Sequence, residues 1–405
     1  MVDLSRVRVS GALEPFAAGF GSELLRQGYT AQPAAQQLRL MAHVSRWLSA
    51  QGRQVGSFDA VAAEEFAASR RAAGYSTLLT VKALVPLLAY LRGLGVVARP
   101  DVSVAAGPVD VLLERYREYL LVERGLRMIT ARVYIEAVRP FLTGRVSADA
   151  KLVQLRNLEA GHVAAFVVGR CPGQSRAAAK QTTTALRSLL TYLHVAGEID
   201  RALAGAVPSV AGWRLTGLPR GLEPDQVRAL LSSCDRDTAA GRRAFAILTM
   251  LVRLGMRAGE VAALTLDDVN WRAGEIMVRG KGGRCERLPL PADVGEAMSA
   301  YLPDRPVVGQ RERALFLRVQ APQGPLTSNA VSEVVAAAAR RAGLGTVGAH
   351  RLRHTVAVEM LRAGASLPEI GQVLRHSHMS TTAIYAKNDR EALRTIARPW
   401  PGAQA

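Results

Sequence analysis

The sequence predicts a multidomain protein with two all-α segments followed by a mixed α+β part that carries a small antiparallel sheet. Three observations lead there. The chain has 405 residues, more than one ordinary core accommodates, which suggests two or three domains. Residues 1–100 and 108–203 place apolar side chains at three- and four-residue spacing (Leu38, Met41, Trp47; Leu112, Tyr116, Leu120), with few strand-like alternations. Further on, Glu275-Ile276-Met277-Val278-Arg279, the glycine-rich stretch Gly280-Lys281-Gly282-Gly283, and Arg287-Leu288-Pro289-Leu290 read as a hairpin with a loose tip.

In order, the expected parts are an additional helical domain over 1–100, a second helical domain over 108–203, and a linker over 204–217. A domain over 218–397 and a tail over 398–405 follow. Gly107-Pro108 punctuates between the helical segments, and Gly205, Pro208, Gly212 and Gly217 mark the linker. The two helical segments align as a diverged repeat: Trp47-Leu48 with Phe141-Leu142, Phe66 with Phe166, and Leu88-Ala89-Tyr90-Leu91 with Leu190-Thr191-Tyr192-Leu193. In the last domain, helices are expected over 244–254, 329–342 and 353–362. Ser366-Leu367-Pro368-Glu369 forms a capping box opening a helix to about 375.

Composition narrows the function classes. With 49% hydrophobic and 21% charged residues the chain is globular, and no uncharged apolar run approaches the ~18 residues a membrane span requires. The opening M-V-D-L-S-R-V lacks an apolar secretory core, so the expected location is cytoplasmic and nucleoid-associated, with no membrane partner. Cys171, Cys234 and Cys285 lie far apart, which argues against a disulfide framework or a cysteine zinc knuckle. Lys plus Arg number 52 against 34 Asp plus Glu, a formal charge of +18 that favours a polyanionic partner, most simply nucleic acid. Five of the 52 are lysines, so a lysine at a glycine-rich tip, Lys281, stands out. A lysine can give up its proton, and an arginine effectively cannot.

Four clusters could carry chemistry. Gly255-Met256-Arg257-Ala258-Gly259-Glu260 sets Glu260 three residues after Arg257, suited to hold the guanidinium. Lys281 is the second. In His350-Arg351-Leu352-Arg353-His354, His350 shares a helical face with Arg353 and with His354. The fourth is Leu374-Arg375-His376-Ser377-His378 with Tyr385 beyond it. His376 falls at a helix C-terminus, where the dipole favours a protonated imidazole. One continuous helix would set His376 and Tyr385 on opposite sides, because nine residues make about two and a half turns. The chain must break between them if both serve one site, with Ser380-Thr381-Thr382 as N-cap candidates and Tyr385 early on a separate short helix. The H-x3-H and H-x-H spacings suit zinc, but the intervening arginines, the lack of a nearby cysteine and the lack of a glutamate inside H-R-L-R-H argue against a metal.

Taken together, G-M-R-A-G-E, R-G-K-G-G-R-C-E-R-L-P-L, H-R-L-R-H-T and L-R-H-S-H-M-S-T-T-A-I-Y resemble the tyrosine recombinase (phage integrase) family over about 108–397. The resemblance implies a SAM-like core-binding domain at 108–203 and a recombinase catalytic domain at 218–397. These would form a C-shaped clamp on double-stranded DNA, with four protomers on two DNA sites and with or without sister recombinases. It implies that Tyr385 attacks the scissile phosphate to give a 3′-phosphotyrosyl link, and that Arg257 and Arg353 clamp its oxygens. Lys281 would protonate the leaving 5′ oxygen, His350 would act as acid/base toward the tyrosine, His376 would hydrogen-bond the phosphate, and Glu260 would support Arg257. No cofactor, metal or ATP is expected, and no nucleotide-binding glycine loop is found. A mobile-element role in integration, excision or transposition is the implied function. A type IB topoisomerase and a DNA-binding protein without catalysis are the alternatives. Two departures stand out: the segment 1–100, and Arg375, where the family usually has glycine. Arg375 is expected to point to solvent, the alternative being an added phosphate contact, and His354 and His378 are expected to be supporting or solvated neighbours.

Overall fold

A computed structural model describes residues 4–98, 107–146, 153, 155–210, 221–280, 284–307, 312–376, 379–382 and 385. The chain divides into two compact units, one of Met1–Arg99 with Leu215–Ala405, the other of Pro100–Arg214.

The first unit begins with four helices, α1 (Ala17–Arg26), α2 (Ala31–Ala50), α3 (Ala60–Ala72) and α4 (Val81–Gly93). Their periodic apolar faces meet in one core that includes Phe20, Leu38, Met41, Leu48, Phe66 and Leu88. Asp59 starts α3 by accepting a hydrogen bond from Ala62 N at 2.9 Å. Residues 1–99 group with the C-terminal part of the chain, from which the Gln323 backbone N–H donates to Gln27 O at 2.9 Å.

The second unit repeats the pattern with α5 (Pro108–Glu118), α6 (Met128–Thr143), α7 (Ala160–Arg170) and α8 (Arg176–Val195). Aromatic side chains pair in similar geometry within each unit. Trp47 meets Phe66 edge-on at 5.7 Å between ring centroids, and Phe141 meets Phe166 edge-on at 5.1 Å. Phe20 and Tyr90 tilt at 39° and 5.4 Å, Tyr116 and Tyr192 at 40° and 5.3 Å. An arginine covers the first ring of each edge-on pair, Arg53 over Trp47 and Arg145 over Phe141.

After α9 (Pro224–Ser232), the long apolar helix α10 (Ala239–Leu254) runs through the largest core and stops at Gly255. Glycine is required there: φ is +57°, and a Cβ would lie 2.6 Å from Leu374 Cδ2. The short α11 (Ala258–Ala262) follows, then the sheet β1 (Val269–Asn270), β2 (Glu275–Arg279) and β3 (Cys285–Pro289), antiparallel in the order β1-β2-β3. Ile276 pairs with Leu288 and Val278 with Glu286. Ile276 and Val278 alternate into the core, a burial that contributes about 1.5–3 kcal/mol each. The tip carrying Lys281 lies outside the described residues.

Helices α12 (Ala292–Tyr301), α13 (Ser328–Arg341) and α14 (Ala349–Arg362) complete the main core. The expected capping box opens α15 (Leu367–Val373): Ser366 N donates to Glu369 Oε2 at 2.7 Å, and Glu369 N to Ser366 Oγ at 3.4 Å. The last described helix is α16 (Met379–Thr382). No helix among the described residues is long and apolar enough to cross a membrane.

Candidate active site

Three helix ends bring the arginines together. Arg257 follows the Gly255 turn at the start of α11, where its backbone N–H donates to Glu260 Oε2 at 2.9 Å and its Nη1 to Glu260 Oε1 at 2.5 Å. This is the support expected of Glu260. Burial alone would raise the Glu260 pKa, but the Arg257 N–H bond and the charges of Arg375 and Arg257 hold it below the usual carboxylate value. Arg353 projects from α14 and is 1% exposed. Its Nη1 donates to Gly255 O at 2.6 Å, and its Nη2 is buried with no partner. Burial first, then Arg257 and Arg375, push the Arg353 pKa down to about 10, so it is still a cation at neutral pH.

Arg375 corrects the reading that set it in solvent. Its side chain is 3% exposed, and its Nη2 donates to Glu260 Oε2 at 2.9 Å. The reason is the way α15 ends. Arg375 N bonds Gln372 O and His376 N bonds Gly371 O, both at 2.9 Å, and Arg375 has φ +56°. That left-handed residue turns the chain inward, and the side chain goes with it. Three guanidiniums therefore stand around one carboxylate, and two buried donors, Arg353 Nη2 and Arg375 Nε, are left over among the described residues. Buried cations in such excess favour an anion as the missing partner.

The imidazoles and the phenol form the other half. His350 and His354 stand edge to face on α14, with ring centroids 4.3 Å apart. The His354 Nδ1 lies 2.7 Å from Tyr385 Oη, within hydrogen-bond range of the phenol O–H. The His376 ring is nearly parallel to that of Tyr385 at 6.4 Å, and its Nδ1 lies 2.7 Å from Thr382 Oγ1. The expected break between His376 and Tyr385 is present, since α15 ends at Val373. Ser380, Thr381 and Thr382 lie within α16 rather than capping it, and Tyr385, beyond that helix, is itself in 3-10 helical conformation.

The expected protonation of His376 is reversed. Burial, then Arg353 and Arg257, push its pKa down to about 4, so burial and the neighbouring guanidiniums together outweigh one short helix's dipole. Burial, His350 and Arg353 lower His354 to about 4 as well, and burial with Arg353 and Arg257 lowers His350. Burial raises the Tyr385 pKa, which Arg353 offsets only in part. At neutral pH the site thus holds a neutral phenol against a neutral imidazole that can accept its proton.

Of the residues anticipated from sequence, Arg257, Glu260, His350, Arg353, His376 and Tyr385 come together here. Lys281 and His378 lie outside the described residues. Sequence reasoning understates His354 and Arg375. The H-x3-H spacing on one helix is a usable signal for His354, whereas nothing local shows which histidine the phenol meets. Among the described residues no group of three or more His, Cys, Asp or Glu side chains is placed to hold a metal ion.

Known proteins resemble this chain along most of its length. Residues 220–392 match the model of the phage integrase family, and residues 113–197 match the phage integrase N-terminal SAM-like domain. A putative integrase/recombinase of Sinorhizobium fredii, y4rA, is 41% identical over 97% of this chain and 95% of its own length. The chain belongs to the phage integrase family. As a tyrosine recombinase it is an enzyme of DNA strand breakage and rejoining. The tyrosine recombinase XerD of Listeria monocytogenes is 30% identical over 70% of this recombinase and 96% of XerD. Two solved structures share the fold: XerH bound to a palindromic difH substrate (TM-score 0.57, 20% identity, 73% of this chain and 97% of that one), and a lambda integrase dimer on a core site (0.53, 19%, 73% and 98%).

Proposed function

We propose that this recombinase cuts and rejoins double-stranded DNA at specific sites for a mobile element, with Tyr385 as nucleophile. The observation that carries the reading is the phenol of Tyr385 held 2.7 Å from a neutral imidazole, beside three arginines that together have one carboxylate. The Tyr385 Oη–phosphorus bond forms as the bond from phosphorus to the 5′ oxygen breaks. The phenol proton passes to His354, which His350 supports through ring contact. Arg257 and Arg353 stabilise the charge that grows on the non-bridging oxygens, the unpartnered Arg353 Nη2 being free to take one of them. His376 donates to the phosphate once it turns from Thr382, and Lys281 gives its proton to the leaving 5′ oxygen. The covalent link preserves the phosphodiester's energy for rejoining.

DNA is the partner, and self-assembly on two sites is the working form. In support, lambda integrase has been solved as a tetramer bound to a Holliday junction. Residues 108–203 would be the core-binding domain. The matching aromatic pairs support residues 1–100 as a second module of the same kind, adding DNA contact or assembly surface. The test is a supercoiled plasmid with two copies of the protein's binding site, selected from random duplexes, incubated in EDTA. Deletion or inversion between the sites is expected. Relaxation of a plasmid lacking any site, with no exchange, would instead mark a topoisomerase.

A further inference from the structure

Arg375 occupies a backbone position that favours glycine, with φ +56° at the turn closing α15. An arginine there keeps a strained conformation, so its side chain should contribute something glycine could not. The contacts say what. Glu260 has two oxygens: Oε1 accepts from Arg257 Nη1, and Oε2 accepts from both the Arg257 backbone N–H and Arg375 Nη2. The backbone returns the contact, because Arg375 O accepts from Arg257 Nη2 at 3.2 Å. Arg375 therefore reaches Arg257 by two routes, through the shared carboxylate and through its own carbonyl. It is also the residue directly before His376. One side chain ties the start of α11 to the end of α15, and so the phosphate clamp to the nucleophile segment.

We propose that Arg375 is a positioning residue that fixes Glu260 and, through it, the Arg257 guanidinium in the orientation that meets the scissile phosphate. Resting on the recombinase reading above, this assigns to Arg375 no contact with DNA. Its two Nη groups are already committed, Nη2 to Glu260 and Nη1 to Val373 O at 3.0 Å, and its Nε is buried without a partner among the described residues.

The test is a double-mutant cycle on single-turnover cleavage of a nicked suicide duplex, using Arg375→Gly, Arg257→Ala and the pair. Glycine suits the turn, so the fold is expected to hold. Arg375→Gly should slow cleavage about 10- to 100-fold, the range for groups that orient a functional ligand, with DNA affinity unchanged. In the Arg257→Ala background the same change should slow it by less than about threefold, since the residue it positions is already gone. Cleavage by Arg375→Gly at the wild-type rate would overturn the proposal. So would a loss of equal size in both backgrounds, which would mean that Arg375 acts independently of Arg257. Should the glycine variant not fold, the same cycle with Arg375→Lys decides by the same two outcomes. Failure of the underlying reading looks different: the wild-type protein would then form no adduct at Tyr385.

Discussion

The arginine half of the site and the tyrosine half are built on different principles. Arg257 stands between the long α10 and the short α11, and Arg353 lies early on α14, each fixed to a defined acceptor, Glu260 and Gly255 O. Tyr385 belongs to a small separate cluster with Val356, Ala357, Val358, Ile370 and Leu374. It is 1% exposed, and its one side-chain hydrogen bond among the described residues is to His354. The first half is preorganised charge waiting for an anion. The second is neutral, covered and dependent on proton transfer, so the groups over Tyr385 must part before a phosphate can reach its Oη. Electrostatic stabilisation needs a rigid frame, whereas a nucleophile can be stored inert. Gly255 joins the halves: its carbonyl holds Arg353, and Leu374 and Val356 fill the space that a side chain at this position would need.

Losing a frame group should be the more damaging change. Arg353→Ala removes a buried cation and is expected to lower the cleavage rate by about 10²–10³ or more, as loss of a preorganised donor does. Cleavage within tenfold of wild type would show that the arginine frame is not the main source of the rate. His354→Ala should come next, at about 10²-fold, with DNA binding unchanged, because it deletes the phenol's acceptor. If His350→Ala costs more, the proton goes to His350 and the 2.7 Å contact is a resting arrangement only. Gly255→Ala should weaken both halves at once. The positive φ and the close approach to Leu374 are expected to cost about 1–2 kcal/mol in thermal unfolding and to slow cleavage. A neutral effect would uncouple the halves.

The pH response should separate the halves more gently. His354 and His376 have folded pKa values of about 4, below the ~6.5 of an unfolded imidazole. The unfolded chain therefore binds more protons between these values. Their contribution to stability is fully present above about pH 6.5 and is lost as pH falls toward 4. Melting of the DNA-free protein should track that window, and His376→Gln should flatten part of it. An unchanged profile would mean that His376 is not buried as a neutral group.

How far the sequence foretells this differs between the halves for a physical reason. Tyr385, His376, His350 and Arg353 are picked out by the resemblance of their motifs, in order, to the family, and the required helix break follows from counting turns. Glu260 is legible at three residues from Arg257. The partners that depend on long-range folding are not. His354 meets Tyr385 across 31 residues, and Arg375 meets Glu260 across 115. The charge state of His376 is misread from sequence because a helix end is visible there, whereas its burial beside Arg353 and Arg257 is not. Trp47 and Phe66, and the positions aligned with them, Phe141 and Phe166, do form matching edge-on pairs.

The central claim, that Tyr385 forms the covalent link within a preorganised arginine frame, is tested most directly on a nicked duplex carrying the protein's binding site, in EDTA. The wild-type protein should give an SDS-resistant protein–DNA adduct, and Tyr385→Phe, which removes one oxygen, should bind the duplex and give none. An adduct with the phenylalanine variant, or cleavage that requires Mg²⁺, would contradict the account.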